Sequence, residues 1–145
     1  SHILSQSISW TPISLLYLQA TATYVIDSTS TPANKAPSPD GLILESENDY
    51  WTGTFAVGYA INARTDLDLE YTYYRADNYV DSSATSQPYG AGFTEHRLMA
   101  TATQRLTENL RCQLRYGFFT NDDETYGGNL DYDAHLVYGS IQYRF

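Results

Sequence analysis

A chain of 145 residues with a formal charge of -9, from eight basic and seventeen acidic residues, is the size of one compact domain or a portion of one, since domains cluster at about 100 to 150 residues. That balance leaves no basic face for nucleic acid unless arginines gather where the total conceals them. No run approaches the ~18 to 20 consecutive apolar residues of a membrane-spanning helix, and a single cysteine, Cys112, forms neither an internal disulfide nor a metal cluster. Tyrosine is the anomaly, at fourteen residues with five Phe and two Trp.

Period-two alternation, the mark of a strand with two unlike faces, recurs along the chain, and the i, i+3, i+4 pattern of an amphipathic helix is nearly absent. The alternation begins at Leu4 with no basic-then-apolar leader ahead of it, so the chain is expected to open inside a strand and reads as a mature form or as a fragment. In the first segment Leu4, Ile8 and Trp10 alternate with Ser5, Ser7 and Ser9, and Thr11-Pro12 reads as a tight turn. Leu16, Leu18, Ala20, Ala22, Tyr24 and Ile26 share one face of the second, opposite Tyr17, Gln19, Thr21 and Thr23. A polar loop, 28 to 49, follows.

The third segment sets Trp51, Phe55, Val57, Tyr59 and Ile61 against Thr52, Thr54, Ala56, Gly58 and Asn62. After a short turn at 62 to 66, the fourth alternates Leu67, Leu69, Tyr71 and Tyr73 with Asp68, Glu70, Thr72 and Tyr74. Beyond a second polar loop, 76 to 93, the fifth sets Leu98, Ala100, Ala102 and Leu106 against Arg97, Met99, Thr101, Thr103 and Arg105. A short turn at 107 to 109 leads to the sixth, where Leu110, Cys112, Leu114, Tyr116 and Phe118 oppose Arg111, Gln113, Arg115 and Gly117. An acidic loop, 121 to 133, precedes the last segment, with Val137, Gly139, Ile141, Tyr143 and Phe145 against Tyr138, Ser140, Gln142 and Arg144.

Short turns and long polar loops alternate strictly, as in an up-and-down meander whose two ends face different compartments. The segments run roughly 9 to 14 residues, enough for a tilted strand to cross hydrocarbon, whereas soluble strands average about 5 to 6. In a soluble barrel the polar face meets water and carries Lys and Glu; here it carries Thr, Ser, Gly, Gln and Arg. The apolar face ends in rings, with Tyr24, Trp51, Tyr73 and Phe118 near the long loops and Trp10, Tyr59, Tyr143 and Phe145 near the short turns. Lipid interfaces select such girdles, because a Tyr or Trp ring buries its body while its polar tip stays wet. These features predict an all-β, antiparallel up-and-down transmembrane barrel with a polar lumen; a soluble lipocalin-like barrel with an aromatic core is the competing reading.

The closing segment, with alternating apolar positions and the tail Tyr143-Arg144-Phe145, resembles the final strand of bacterial outer-membrane β-barrel proteins. The pieces "LDLEYTYYRADN" (67 to 78) and "GSIQYRF" (139 to 145) are similar to putative porin families of larger barrels. The resemblance implies an outer-membrane location, contact with lipid and lipopolysaccharide, and recognition of the Phe145 strand by the barrel assembly machinery. It also implies periplasmic short turns and extracellular long loops. Seven segments cannot close a membrane sheet of even strand number, so either an eighth strand hides in a loop or the chain is the C-terminal portion of a larger barrel.

Five arginines, Arg97, Arg105, Arg111, Arg115 and Arg144, fall on the lumen face of the last three segments, with Asp68 and Glu70 at similar depth on the fourth. They read as a constriction for passive diffusion of small polar or anionic solutes, or as a salt-bridge network filling a narrow barrel. A structural or adhesion barrel without transport, or a subunit sheathing a partner, are the alternatives to a channel. The acidic loop residues Asp40, Glu45, Glu47, Asp49, Asp122, Asp123, Glu124, Asp131 and Asp133 read as solvated loops or as oxygen ligands for a divalent cation bridging to lipopolysaccharide. No G-x-S-x-G or H-E-x-x-H motif occurs, and His2, His96 and His135 are far apart, so neither enzyme chemistry nor a cofactor is expected.

Overall fold

The computed structural model describes residues 1–31, 42–83 and 87–145. Its nine strands are β1 (His2–Ile13), β2 (Leu16–Ile26), β3 (Ser28–Ser30), β4 (Glu45–Glu47), β5 (Tyr50–Asn62), β6 (Thr65–Asp77), β7 (Gly92–Arg105), β8 (Leu110–Asp123) and β9 (Tyr132–Tyr143). No helix occurs among the described residues. Seven strands form one sheet in the order β1-β2-β5-β6-β7-β8-β9, and β3 and β4 form a small separate ladder. Every pairing is antiparallel. The all-β, up-and-down meander predicted from alternation is thus observed, with all seven segments as strands.

Closure is not observed. β1 and β9 are the two edges and do not pair with each other, so the sheet is open, and the short β3-β4 ladder supplies no eighth strand to it. The sequence boundaries also move. Thr11-Pro12 is not the first turn; β1 continues to Ile13 and the chain reverses at Ser14-Leu15. Proline is tolerated there because β1 is an edge strand and its ladder shifts register between Trp10 and Ile13, where a missing N–H costs no sheet bond. The loops expected at 76 to 93 and 121 to 133 lose residues to the strands at both ends.

Register keeps the two chemistries apart across the whole sheet. On the apolar face the ladder runs Ile8, Ala20, Phe55, Tyr71, Leu98, Phe118, His135 from edge to edge. On the other it runs Ser7, Thr21, Thr54, Thr72, Arg97, Phe119, Ala134. A one-residue slip at any of the six junctions would exchange the faces beyond it, and none occurs outside the turn-proximal shifts at Trp10/Ile13 and Ala60/Asn62.

Burial runs opposite to that of a water-soluble sheet. Leu4, Ile8, Trp10, Phe55, Leu69, Leu114, Val137 and Ile141 on the apolar face are all exposed, Ile141 at 75%. On the polar face Thr103 is 1% exposed and Gly117 is buried, and Thr21, Thr23, Thr52, Thr54 and Thr72 are half-buried. Strands make substantial contact only with their sheet neighbours, so no second strand layer covers the polar face among the described residues.

Candidate functional site

Glycine and small hydroxyl residues shape the polar face. A β-carbon at Gly58 would stand 3.2 Å from Asp68 Oδ1, and one at Gly117 would meet the Phe119 ring at 2.8 Å and Met99 Sδ at 2.9 Å. These two glycines leave room for side chains that reach sideways over neighbouring strands. Hydroxyl pairs cross the ladders, with Ser5 to Thr23 at 3.0 Å and Thr54 to Thr72 at 3.3 Å. Such cross-strand contacts let a polar face satisfy itself without Lys or Glu.

Four of the five predicted arginines, Arg97, Arg105, Arg111 and Arg115, belong to this face by register. Arg105 stands directly opposite Arg111, Arg111 opposite Gln142, and Arg115 between Thr101 and Tyr138. Arg144 lies just past β9 and holds the ladder by donating its N–H to Asn109 O at 2.9 Å. Arg97 is committed elsewhere, 2.6 Å from Glu95 Oε1 and over the Phe119 ring at 5.6 Å. Arg115 Nε donates to Thr101 Oγ1 at 3.3 Å. Among the described residues no carboxylate pairs with Arg105, Arg111, Arg115 or Arg144. Like charges placed directly opposite oppose pairing, and Arg105 and Arg111 face each other in this way at the short-turn end without an ion-pair partner among the described residues.

Asp68 joins this group and Glu70 does not. Asp68 shares a cross-strand row with Thr101 and Arg115, and it lines a cavity of about 300 Å³ with Tyr17, Gly58, Asp66 and Arg111. Glu70 sits one pair further along, between Ala56 and Met99. Asp66 is the member of this cavity that sequence reading passed over as part of a turn; β6 starts at Thr65, two residues before Leu67, which brings Asp66 into the alternation.

At the long-loop end of the polar face Tyr50, Tyr74 and Phe93 stack in series, centroids 5.4 Å apart in both contacts. Each adjacent doublet, Tyr50-Trp51, Tyr73-Tyr74 and Phe118-Phe119, sends one ring to each face. The doublets themselves were the available signal. On the apolar face Trp51 packs on Tyr73 at 4.7 Å and covers Gly53, and Tyr143 meets Phe145 at 5.1 Å. Trp10, Tyr24, Trp51, Tyr59 and Tyr143 are exposed there, and Tyr73 and Phe118 are half-buried.

The predicted histidines are structural partners on that face. Tyr71 Oη lies 2.7 Å from His96 Nδ1, and Tyr116 Oη lies 2.8 Å from His135 Nδ1. Each pair satisfies an imidazole within an otherwise apolar surface. His2 opens β1 at the far edge, and Cys112 is half-buried beside Gln104 and Ile141.

The long loops are tied to one another. Asp49 accepts from Asp27 N at 2.8 Å and donates its own N–H to Asn78 Oδ1. Tyr126 Oη donates to Gly90 O at 3.0 Å, and Gly92 N donates to Thr125 Oγ1 at 2.6 Å. The acidic residues cap these turns: Asp123 Oδ1 accepts from Thr125 and Tyr126, Asp131 from Asp123 N, and Glu124 holds Arg75 at 3.2 Å. Hydrogen bonds from Ser83 hold the Asp81 carboxyl below its usual range. Asp40 lies outside the described residues, and among those described no three His, Cys, Asp or Glu side chains cluster as a metal site.

No family model, curated protein or solved structure matches the chain.

Proposed function

We propose that this chain is wall of a bacterial outer-membrane β-barrel and serves as a porin-like channel for passive diffusion of small polar or anionic solutes. The observation that carries the reading is the inverted burial: seven strands in continuous register enclose Thr103 and Gly117 and expose Leu114, Val137 and Ile141. An exposed apolar face of this extent requires lipid or a partner to cover it. Rings at both ends of that face, Tyr24 and Trp51 at one and Trp10 and Tyr143 at the other, fit a band between two lipid interfaces. The Phe145 strand is then the segment offered to the assembly machinery, and lipopolysaccharide faces the long loops.

Selectivity in this reading arises from Arg105, Arg111, Arg115 and Arg144, none of which is ion-paired with a described carboxylate. A low-dielectric wall focuses their field on passing anions. The test is planar-bilayer conductance of the full-length protein. Stepwise, anion-preferring conductance that loses its preference in Arg105→Glu/Arg111→Glu is expected. One observation favours a second reading, a structural barrel without transport: the Tyr50-Tyr74-Phe93 stack and the side chains over Thr103 occupy the polar face as they would in a narrow barrel. Folded, inserted protein with no conductance steps would replace the channel with that structural role.

A further inference from the structure

Three connecting segments meet at the long-loop end around a cavity of about 520 Å³, within the ~300 to 1,000 Å³ of small-molecule sites. Glu47 ends β4, and Asn48 follows it, its N–H donating to Asp27 O at 2.7 Å. Asn78 and Tyr89 come from the segment between β6 and β7, where the Val80–Tyr89 bridge and the Asn78 N–H on Ala91 O hold the backbone. Tyr126, between β8 and β9, is fixed by its Oη donating to Gly90 O at 3.0 Å. Phe93, near the start of β7, also lines the cavity and stacks on Tyr74 at 5.4 Å, which joins the cavity to the ring series of the polar face.

The lining combines rings with an uncommitted carboxylate. Tyr89 and Tyr126 are 46% and 48% exposed, and Tyr89 has neither a ring contact nor a hydrogen bond to its hydroxyl among the described residues. The neighbouring carboxylates are occupied: Asp49 accepts from Asp27 N, Asp123 from Thr125 and Tyr126, and Glu124 pairs with Arg75. Glu47 is half-buried, yet among the described residues it caps no turn and pairs with no cation. No Lys, Arg or His stands among the described lining residues.

A half-buried carboxylate beside ring faces attracts positive charge twice, through its own charge and through the negative faces of the rings. A metal cation would demand a shell of oxygen ligands, and no three carboxylate, imidazole or thiol side chains cluster for one among the described residues. An alkylated ammonium needs no such shell, and its methyl groups gain from contact with the rings. An anion would meet Glu47 with no basic group to hold it. A neutral polyol could hydrogen-bond Glu47 but would leave its charge unanswered.

We propose that the cavity bounded by Glu47, Tyr89, Phe93 and Tyr126 binds a free organic cation of the alkylated-ammonium class at the long-loop end. The proposal uses neither the membrane nor the arginines of the polar face, so it stands or falls apart from the channel reading.

The test is calorimetric titration of the full-length protein in micelles of a polyoxyethylene detergent, which supplies no charge, sugar or ammonium group. The probes are choline, its uncharged tert-butyl isostere, phosphocholine and maltose. Saturable choline binding is expected, about tenfold tighter than that of the isostere and roughly three- to thirtyfold weaker in Tyr89→Leu and in Glu47→Gln. Tyr89→Phe, which keeps the ring, should bind more tightly than Tyr89→Leu, and phosphocholine should bind more weakly than choline. Glu47→Gln removes no partner, so the test holds even where Tyr89→Leu does not fold. No saturation at millimolar choline, equal binding of the isostere, or unchanged affinity in Glu47→Gln would overturn the proposal. Maltose binding tighter than choline would overturn it in favour of a polyol. Phosphocholine binding at least as tight as choline would overturn the free-solute assignment in favour of a lipid headgroup.

Discussion

Leu114→Arg is the substitution that most directly separates a lipid-facing apolar surface from a wetted one. Leu114 is 57% exposed, faces Ala102 and Gly139, and lies four residues along β8 from both Leu110, beside Tyr143, and Phe118. At ~3.3 Å per residue and a tilt of about 40°, four residues span roughly 10 Å of membrane normal. Leu114 thus sits midway between the two aromatic levels, at the centre of a band about 25 Å tall. Arginine there should cost about 2 to 4 kcal/mol, or roughly thirty- to several-hundred-fold in the folded population. At an exposed site in water the same change stays within about 0.5 kcal/mol. Gln113→Arg, one residue away on the polar face, is the internal control and should cost less than about 1 kcal/mol. Reversible urea unfolding in phosphatidylcholine vesicles, followed by tryptophan emission, gives both values for the full-length protein. Equal midpoints for Leu114→Arg and Gln113→Arg would refute the assignment of faces to lipid and water.

Other expectations follow from single contacts. The two tryptophans, Trp10 and Trp51, sit at opposite ends of the apolar face, so single-tryptophan variants (Trp10→Phe, Trp51→Phe) should both be quenched most by lipids brominated near the headgroup. Quenching that peaks at the chain ends would place them away from the interfaces. Gly117→Ala forces a methyl against Phe119 and Met99 and should destabilise by about 1 to 3 kcal/mol, measured in the same urea titration; an unchanged midpoint would show that these side chains move freely. Gly90 has φ +92 and would place a β-carbon 1.7 Å from Asn78 O. Gly90→Ala should therefore open the Val80–Tyr89 bridge and speed amide exchange there, leaving β6 and β7 protected.

Alternation carried most of the fold because the two faces differ in chemistry at every strand, so neighbour order and register follow once the turns are placed. It failed where backbone geometry, not side-chain pattern, sets the boundary. Pro12 reads as a breaker in isolation but is harmless on an edge strand, and edge status depends on neighbours the local sequence does not name. The arginine group was legible for the same reason as the strands, since a two-residue period assigns Arg105, Arg111 and Arg115 to one face. Their lack of carboxylate partners was not, because it depends on where the side chains of Asp66 and Asp68 settle: both line a cavity with Arg111 without forming an ion pair with it. The Tyr–His pairs stayed hidden because their members lie 25 and 19 residues apart and meet diagonally across a ladder.

The negative total and the arginine-bearing face are two parts of one arrangement. Carboxylates gather in the turns at the long-loop end, where Asp49, Asp123 and Asp131 accept backbone N–H groups that no sheet ladder can satisfy. Arginines gather at the other end, where Arg105 and Arg111 face each other across β7 and β8. Between the two lies a polar face rich in Ser, Thr and Gly, with Asp68, Glu70 and Arg115 as the charged residues nearest the short-turn end. The loops are acidic because their backbone needs acceptors, so removing a single capping carboxylate, as in Asp123→Ala, should loosen the 123–126 turn and leave the short-turn end unaffected. Charge at the Arg105–Arg111 end has no such structural employment among the described residues, and that difference makes it the end at which solute discrimination is expected to respond to substitution.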